Sequence, residues 1–335
     1  MSARPRNWHP SSLQSLPKSW TPKPLAEPID YIEQPADVIA QAARLIEAGT
    51  RFALITSVEI QGGSARELGS LALVEASGRM VGYLSNGCID RDIQFQAQEA
   101  LHTGTKRLLH YGAGSPYLDL KLPCGGSLKA VIDPAPDHAA IKDAHTALQA
   151  RKSADLTVTL PEGAGPRTFS YTPKFQLILA GRGAVFRATA KAAHAAGFEI
   201  GALSPDPEDL EAIAPFVTAH SHSLSSPEHA PAMDYIDEHS AFLTLFHDHD
   251  WEPALLEQAL RTDAAFIGSL GSTNAMSLRM MLLREKGVSE TQLTRLHGPI
   301  GMIPSLRDAQ LIAISAIAEV VTHMPRIIHR NQRAA

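Results

Sequence analysis

After Pro35-Ala36-Asp37, apolar residues recur at helical spacing through Val38, Ile39, Ala42, Leu45 and Ile46, which predicts a helix with Asp37 as N-cap and Gly49 as its stop. The pattern then shifts to β-rich runs. Phe52 to Ile60, Leu71 to Glu75 and Met80 to Ser85 read as strands separated by glycine-containing turns, the last pair joined at Ala76-Ser77-Gly78-Arg79 as a hairpin. Ile89 to Leu101 reads as a helix entered through Asn86-Gly87-Cys88, a turn that sets the Cys88 thiol at a helix N-terminus, where the dipole favours a thiolate. Lys106 to Tyr111 and Ser127 to Ile132 read as strands around a glycine-rich loop containing Pro123-Cys124-Gly125-Gly126. A helix from Pro136 to Arg151 and a small hairpin, Leu156 to Leu160 with Thr168 to Tyr171, close the first half.

From Phe175 the pattern becomes that of a βαβ unit: the buried-type strand Phe175 to Ala180, the tight turn Gly181-Arg182-Gly183, an alanine-rich helix from Ala184 to Ala196 and the strand Phe198 to Leu203. Strands at Ala241 to Phe246 and Ala264 to Ile267 then alternate with helices near Glu252 to Arg261 and Asn274 to Lys286, and a helix from Asp308 to His323 closes the chain. The expected fold class is α/β: an N-terminal mixed α/β domain followed by a C-terminal Rossmann-like doubly wound parallel sheet. The expected division is a polar arm over 1–30, a cysteine-bearing domain over 31–172 and the Rossmann-like domain over 173–335.

A chain of 335 residues, 44% hydrophobic, carries enough apolar material for two cores. Thirty Lys and Arg against 35 Asp and Glu, a net charge of -5 with no dense basic run, argue against a nucleic-acid partner. The longest apolar stretch, Leu311 to Val321, is interrupted by Ser315 and Glu319 and is too short for a bilayer, and the proline-bearing arm has no signal-peptide core. A cytoplasmic protein is expected, with no membrane partner.

With only Cys88 and Cys124, neither a disulfide framework nor a four-thiolate zinc site can form. Both lie in glycine turns, where amides can stabilise a thiolate or a bound anion; a buried structural cysteine would instead have bulky apolar neighbours. Gly62-Gly63-Ser64-Ala65-Arg66 presents a hydroxyl and a guanidinium suited to phosphate or carboxylate, or simply to a surface salt bridge. Gly181-Arg182-Gly183 matches part of a dinucleotide fingerprint, but Phe186 stands at the third glycine position and Ser204 at the strand tip, about 20 residues on, where an acid should hold the ribose. His247-Asp248-His249-Asp250 follows a strand at the sheet edge where such folds bind ligands; two histidines are too few for a closed metal site, so a polar strand end is the simpler reading. Gly268-Ser269-Leu270-Gly271-Ser272 can form an anion-binding concavity or an ordinary strand-to-helix turn.

Taken together, these motifs resemble the XdhC/CoxI family, accessory proteins of xanthine dehydrogenase and related molybdenum hydroxylases. Gly63-Ser64-Ala65-Arg66 with Gly69 is similar to the family's Gly-Ser-x-Pro-Arg loop, Asn86-Gly87-Cys88-Ile89-Asp90 to its Gly-Gly-Cys-x-Glu turn, and Cys124-Gly125-Gly126 to its Cys-Gly-Gly. Gly181-Arg182-Gly183, His247-Asp248-His249, Gly268 to Ser272 and Pro299-Ile300-Gly301 stand at the corresponding places of the second half. The resemblance implies a chaperone that binds the molybdenum cofactor (molybdopterin), protects it while a cysteine desulfurase supplies sulfur, and inserts it into a xanthine dehydrogenase-type molybdenum hydroxylase, with a homodimer as its assembly.

It further implies Cys124 as the first cofactor contact, through molybdenum itself, and Cys88 as the second. Gly87, Gly125, Gly126 and Ser64 join them, and Arg66 pairs with a cofactor phosphate; Gly181, Gly183, His247, Gly268, Ser269 and Gly271 are the contacts expected from the second half. Departures from the family pattern concentrate in that second half, at Ala184, Phe186 and Ser204, while the cysteine half differs by the absence of a proline before Arg66, by Asn86 and by Asp90. The competing reading is an oxidoreductase that binds NAD(P) at Gly181 to Gly183.

Overall fold

The computed structural model describes residues 27–64, 66–112, 115, 125–161, 165–247 and 250–324. Its first half is built on β1 (Ile29–Asp30), α1 (Pro35–Glu47), β2 (Phe52–Gln61), β3 (Leu71–Glu75), β4 (Met80–Gly82), α2 (Asp90–Thr103), β5 (Arg107–Gly112), β6 (Ser127–Asp133) and α3 (His138–Gln149). The six strands form one sheet in the order β1-β4-β3-β2-β6-β5, antiparallel except for the edge pair β1 and β4. Successive side chains of a strand point to opposite faces, so Phe52, Leu54, Leu71 and Leu73 pack with Val38 and Ile39 of α1 and Ile141 of α3. Ala53, Ile55, Ala72 and Val74 pack with Ile93 and Ala97 of α2 on the other face. A hairpin of β7 (Ala154–Thr159) and β8 (Pro166–Tyr171) adds Leu156, Phe169 and Tyr171 to the first of these cores.

Helix α1 begins earlier than its sequence suggests. Gln34 is the N-cap and makes no side-chain cap bond, whereas Asp37 lies in the first turn and pairs with Lys174 at 3.1 Å. The reason is Pro35, whose fixed φ suits the first helical position and carries the start ahead of the aspartate.

The second half contains β9 (Gln176–Gly181), α4 (Gly183–Ala195), β10 (Glu199–Ser204), α5 (Pro207–Ile213), β11 (Ser221–Ser223), β12 (Ser240–Leu245), α6 (Glu252–Ala259), β13 (Phe266–Ser269), α7 (Thr273–Glu285), α8 (Glu290–Leu293), β14 (Leu296–His297) and α9 (Ala309–His323). Its strands run in the order β11-β10-β9-β12-β13-β14, every neighbouring pair parallel. Leu177 and Leu179 of β9 pack under α4 and α9, while Ile178 and Ala180 pack under α6 and α7, so the sheet is wound on both faces. The order reverses between β9 and β12, and the carboxyl ends of these two strands flank the crevice where open α/β sheets bind ligands.

Arg151, just beyond α3, joins the halves. Its guanidinium donates to Asp237 at 2.6 and 3.0 Å, to Glu199 at 3.2 Å and to the His239 carbonyl at 3.1 Å. Burial pushes the Asp237 carboxyl up, but the Arg151 hydrogen bonds and charge, with Ser240 and the His239 amide, hold it below the ordinary carboxylate value. These partners stand at the starting ends of β10 and β12, opposite to the carboxyl edge that carries Gly181, Gly183 and His247.

Candidate functional site

Two sets of candidate residues emerge from two sheet edges. In the first sheet, β2, β4 and β5 end, and β3 and β6 begin, at the same edge, because Gln61 pairs with Ser127, Gly112 with Ser127 and Gly82 with Ala72. That edge therefore carries the 62–64 stretch, the Asn86-Gly87-Cys88 turn and the Gly125-Gly126 entry to β6. Cys124 lies outside the described residues. Gly126 needs to be glycine because a Cβ there would stand 2.4 Å from the Gly63 carbonyl oxygen and 2.7 Å from that of Gln61, so the two loops cross backbone to backbone. Gly125 has φ +69 and is exposed.

The Cys88 turn is organised by Asp90. Its carboxylate is wholly buried and accepts the amides of Leu84 at 2.9 Å, Ser85 at 3.0 Å and Gly87 at 2.6 Å, while the Ser85 hydroxyl accepts the Ile89 amide at 2.9 Å. Asn86 at φ +55 and Gly87 at φ +103 complete a tight reversal that leaves Cys88 exposed immediately before the Ile89 N-cap. Ser64 is exposed and its hydroxyl accepts the Arg66 amide at 3.2 Å.

Arg66, expected to meet a cofactor phosphate, faces inward. Its side chain is 5% exposed, bonded to Glu33 through the carboxylate and through the main-chain oxygen at 2.6 Å, and its guanidinium carbon lies 4.5 Å from the centre of the Tyr83 ring. Tyr83 in turn donates to Glu33, and both burial and that bond push its phenol upward. Arg66 thus ties its own loop to the segment leading to Cys88, and it is already paired with the carboxylate of Glu33, which is itself exposed.

At the second edge the Rossmann turn is closed by the protein itself. The Gly183 amide donates to Asp209 of α5 at 2.7 Å, and Arg187 donates to the other oxygen of the same carboxylate, which is 1% exposed. A pyrophosphate would need this first amide of α4, and an internal carboxylate already holds it. Phe186 is wholly buried in the core beneath the turn, and a Cβ at Gly181 would stand 2.8 Å from Leu245. Ser204 accepts the Asp206 amide at 3.1 Å, and Asp206 caps α5, so neither side chain is placed as a ribose acid. These residues do not fit a dinucleotide.

The Gly268 to Ser272 turn is shorter than its sequence implies. β13 runs through Ser269, and Gly268 is an in-sheet residue whose missing Cβ makes room for Ile300 at 2.6 Å. The Ser269 hydroxyl is buried in a polar cluster. Glu252 accepts from Thr244 at 3.0 Å, from Ser269 at 3.0 Å and from Arg279 at 2.6 and 3.0 Å, and Arg279 also donates to the Leu270 carbonyl at 2.5 Å. Gly271, at φ +147, and Ser272, the N-cap of α7, remain in the turn and border a cavity of about 330 Å³ with His247, which is exposed. Asp248 and His249 lie outside the described residues, and among the described residues no group of three or more metal-binding side chains comes together.

Sequence reasoning therefore located both edges but missed Asp209, Glu252, Arg279 and Glu33. Each is a charged residue in an unremarkable polar context, and only the fold discloses that Asp209, Glu252 and Arg279 are buried and that Glu33, itself exposed, pairs with buried Arg66. Asp90 was visible as the family's acidic position, without its capping role.

Comparison with known proteins follows the same two halves. Residues 45–112 match the model of the XdhC and CoxI family, and residues 177–320 that of the XdhC Rossmann domain. The chain is 30% identical over 299 residues to the molybdenum cofactor insertion chaperone PaoD of Escherichia coli K12, covering 85% of this chain and 87% of that protein. It is 27% identical over 289 residues to the uncharacterized protein YqeB of the same organism, of which it spans 46%. A crystal structure of a xanthine dehydrogenase from Bacillus halodurans superposes with a TM-score of 0.69 at 20% identity, covering 89% of this chain and 97% of that one, and so shares the fold. With both halves matched in order and a relative aligned along most of its length, the chain belongs to the XdhC and CoxI family.

Proposed function

We propose that this protein is a molybdenum cofactor insertion chaperone, a carrier rather than a catalyst, whose cargo is held at the cysteine-bearing edge of the first sheet. The observation that carries the reading is the exposed Cys88 thiol on a turn braced by buried Asp90, at the sheet edge from which the 62–64 and Gly125-Gly126 segments also leave. A thiolate is a soft ligand suited to molybdenum or to a persulfide, and glycine amides suit the anionic end of a pterin. Cys124 is the first proposed contact and Cys88 the second, with Gly87, Gly125, Gly126 and Ser64 lining the approach. The family relationship and the PaoD likeness support the assignment.

The finer parts of the reading are a xanthine dehydrogenase-type hydroxylase as client, sulfuration by a cysteine desulfurase while the cofactor is carried, and a homodimer working in the cytoplasm. Among the described residues no helix is long and apolar enough to cross a membrane. An oxidoreductase using NAD(P) at Gly181 to Gly183 is disfavoured by the Asp209 carboxylate on the Gly183 amide. The test is anaerobic incubation of the purified chain with molybdenum cofactor, reading molybdenum and pterin retained per chain for the parent, Cys124→Ala and Cys88→Ala. Near-stoichiometric retention that falls at least tenfold in Cys124→Ala is expected. Equal retention by all three proteins would remove the cysteine edge as the cargo site.

A further inference from the structure

We infer that two copies of this chain associate through α9, whose outward stripe packs antiparallel against the same stripe of a second copy. The stripe is Leu311, Ile314, Ala318 and Val321, spaced by three, four and three residues, which is the spacing of a coiled-coil seam. Leu311, Ile314 and Val321 are each more than half exposed, although α9 already sets Ala316, Ile317 and Val320 into the core of the second sheet. A helix that is apolar on both sides has a second surface to bury. Beside the stripe, the segment after Ile300 is held with its apolar side chains outward. The Gly301 amide donates to Glu319 at 2.5 Å, the Met302 amide to the Ser315 carbonyl at 3.3 Å and the Ile303 amide to the buried Ser315 hydroxyl at 2.8 Å. Met302 and Ile303 are nonetheless each more than half exposed. Single exposed apolar residues are ordinary, but five on one helix face and the segment bonded to it mark an interaction surface.

The stripe itself points to a second copy as its occupant. In an antiparallel pair Leu311 of one helix faces Val321 of the other and Ile314 faces Ala318, so each larger side chain meets a smaller one, as close packing of two helices requires. The positions that flank the stripe, Gln310, Ser315, Ile317 and Thr322, carry no charge. A copy of the same surface therefore meets no like-charge repulsion, and a partner selected by charge would find nothing to pair with. Antiparallel pairing also sets the Asp308 end of each helix, its positive pole, beside the His323 end of the other, its negative pole. Such a contact is isologous and closes at two subunits. The inference rests on the homodimer within the proposed function and gives it a surface; it is independent of where the cargo binds.

The test is sedimentation velocity of the full chain from low to high micromolar concentration, for the parent, Ile314→Glu and Met281→Glu. Met281 lies on α7 and is also exposed, but it is outside the stripe and serves as the control. The parent should shift from the chain mass to twice that mass as concentration rises, and Met281→Glu should do the same. Ile314→Glu should raise the dissociation constant at least tenfold with an unchanged far-UV spectrum. A second pair of variants reads the register without adding charge. Ala318→Ile sets two isoleucines against each other and should weaken association, and adding Ile314→Ala to it should restore the parent's behaviour. A parent that is monomeric throughout would overturn the inference and the homodimer with it, leaving the stripe to another segment of the chain or to a different protein. Dimerisation of Ile314→Glu as tight as the parent's, or a double variant no tighter than Ala318→Ile, would overturn the inference and leave the homodimer to another surface. None of these results bears on cofactor retention at the cysteine edge, which is measured separately.

Discussion

Asp90 has the clearest consequence of any single residue at the cysteine edge. Its buried carboxylate accepts three amides of the segment that presents Cys88, and without it the buried Leu84 amide would lose its partner while those of Ser85 and Gly87 would have to turn to water. Leaving buried donors unsatisfied costs about 1 to 3 kcal/mol each when no relaxation occurs, and relaxation of a surface turn recovers part of that. Asp90→Ala should therefore lose about 2 to 4 kcal/mol in denaturant unfolding. Because the turn also positions Cys88, its alkylation by iodoacetamide should change several-fold under native conditions. Asp90→Asn, which keeps one acceptor oxygen, should fall between parent and Asp90→Ala on both readouts; an Asn variant as damaged as the Ala variant would show that charge, not acceptor geometry, holds the turn.

Among the elements, periodicity made the long ones legible. α4, α7 and α9 and the strands β2, β3, β9 and β12 lie within one or two residues of their sequence-based bounds, since each sets apolar residues against a core, α7 through Leu283 beside the buried Arg279. The elements that went unseen, β1, β11, β14, α5 and α8, are short; α5 and α8 start at the local caps Asp206 and Ser289, whereas tertiary pairing creates the strands: β14 is two residues long and exists because Ile267 and Gly268 pair with Leu296 and His297. At this join of β13, β14 and α9, the His297 ring lies 4.5 Å from that of Phe266 and 4.6 Å from that of His323, which is itself 4.9 Å from Phe266. Burial lowers the His297 basicity, the neighbouring His323 charge lowers it further, and Glu319 opposes both. A histidine whose folded value is depressed binds its proton better when unfolded, so its contribution is present above the unfolded value, about 6.5, and is lost as pH falls through the folded value. Stability should decline as pH falls below about 6.5, and His297→Phe, which preserves the aromatic stack, should flatten that limb in thermal melts; an unchanged slope would assign the decline to other groups.

Across the whole molecule, the two halves meet through Arg151, and this connection was invisible in the sequence, where Arg151 is merely the last residue of a helical pattern. Its φ of +57 is strained for a side chain with a Cβ, and the conformation persists because it delivers the guanidinium to Asp237, Glu199 and the His239 carbonyl. The two contributions can be separated. Arg151→Ala removes the bonds and keeps the backbone strain, whereas Arg151→Gly removes both. The ion pairs are partly exposed, 18% for Arg151 and 29% for Asp237, so their loss should amount to about 2 kcal/mol rather than the larger cost of breaking a sealed pair. A left-handed residue other than glycine carries roughly 1 kcal/mol of strain, so Arg151→Gly should be the more stable variant by about that amount despite the greater freedom of its unfolded chain. In both variants the acid limb set by Asp237 should shrink, because a carboxyl held below its ordinary value stabilises the fold above that value and loses the contribution as pH falls through the folded one. Calorimetry that gives one transition for the parent and two for the variants would make Arg151 the coupling between the sheets; a single transition in all three, with Arg151→Gly less stable than Arg151→Ala, would mean that packing couples them and that the left-handed conformation carries no strain.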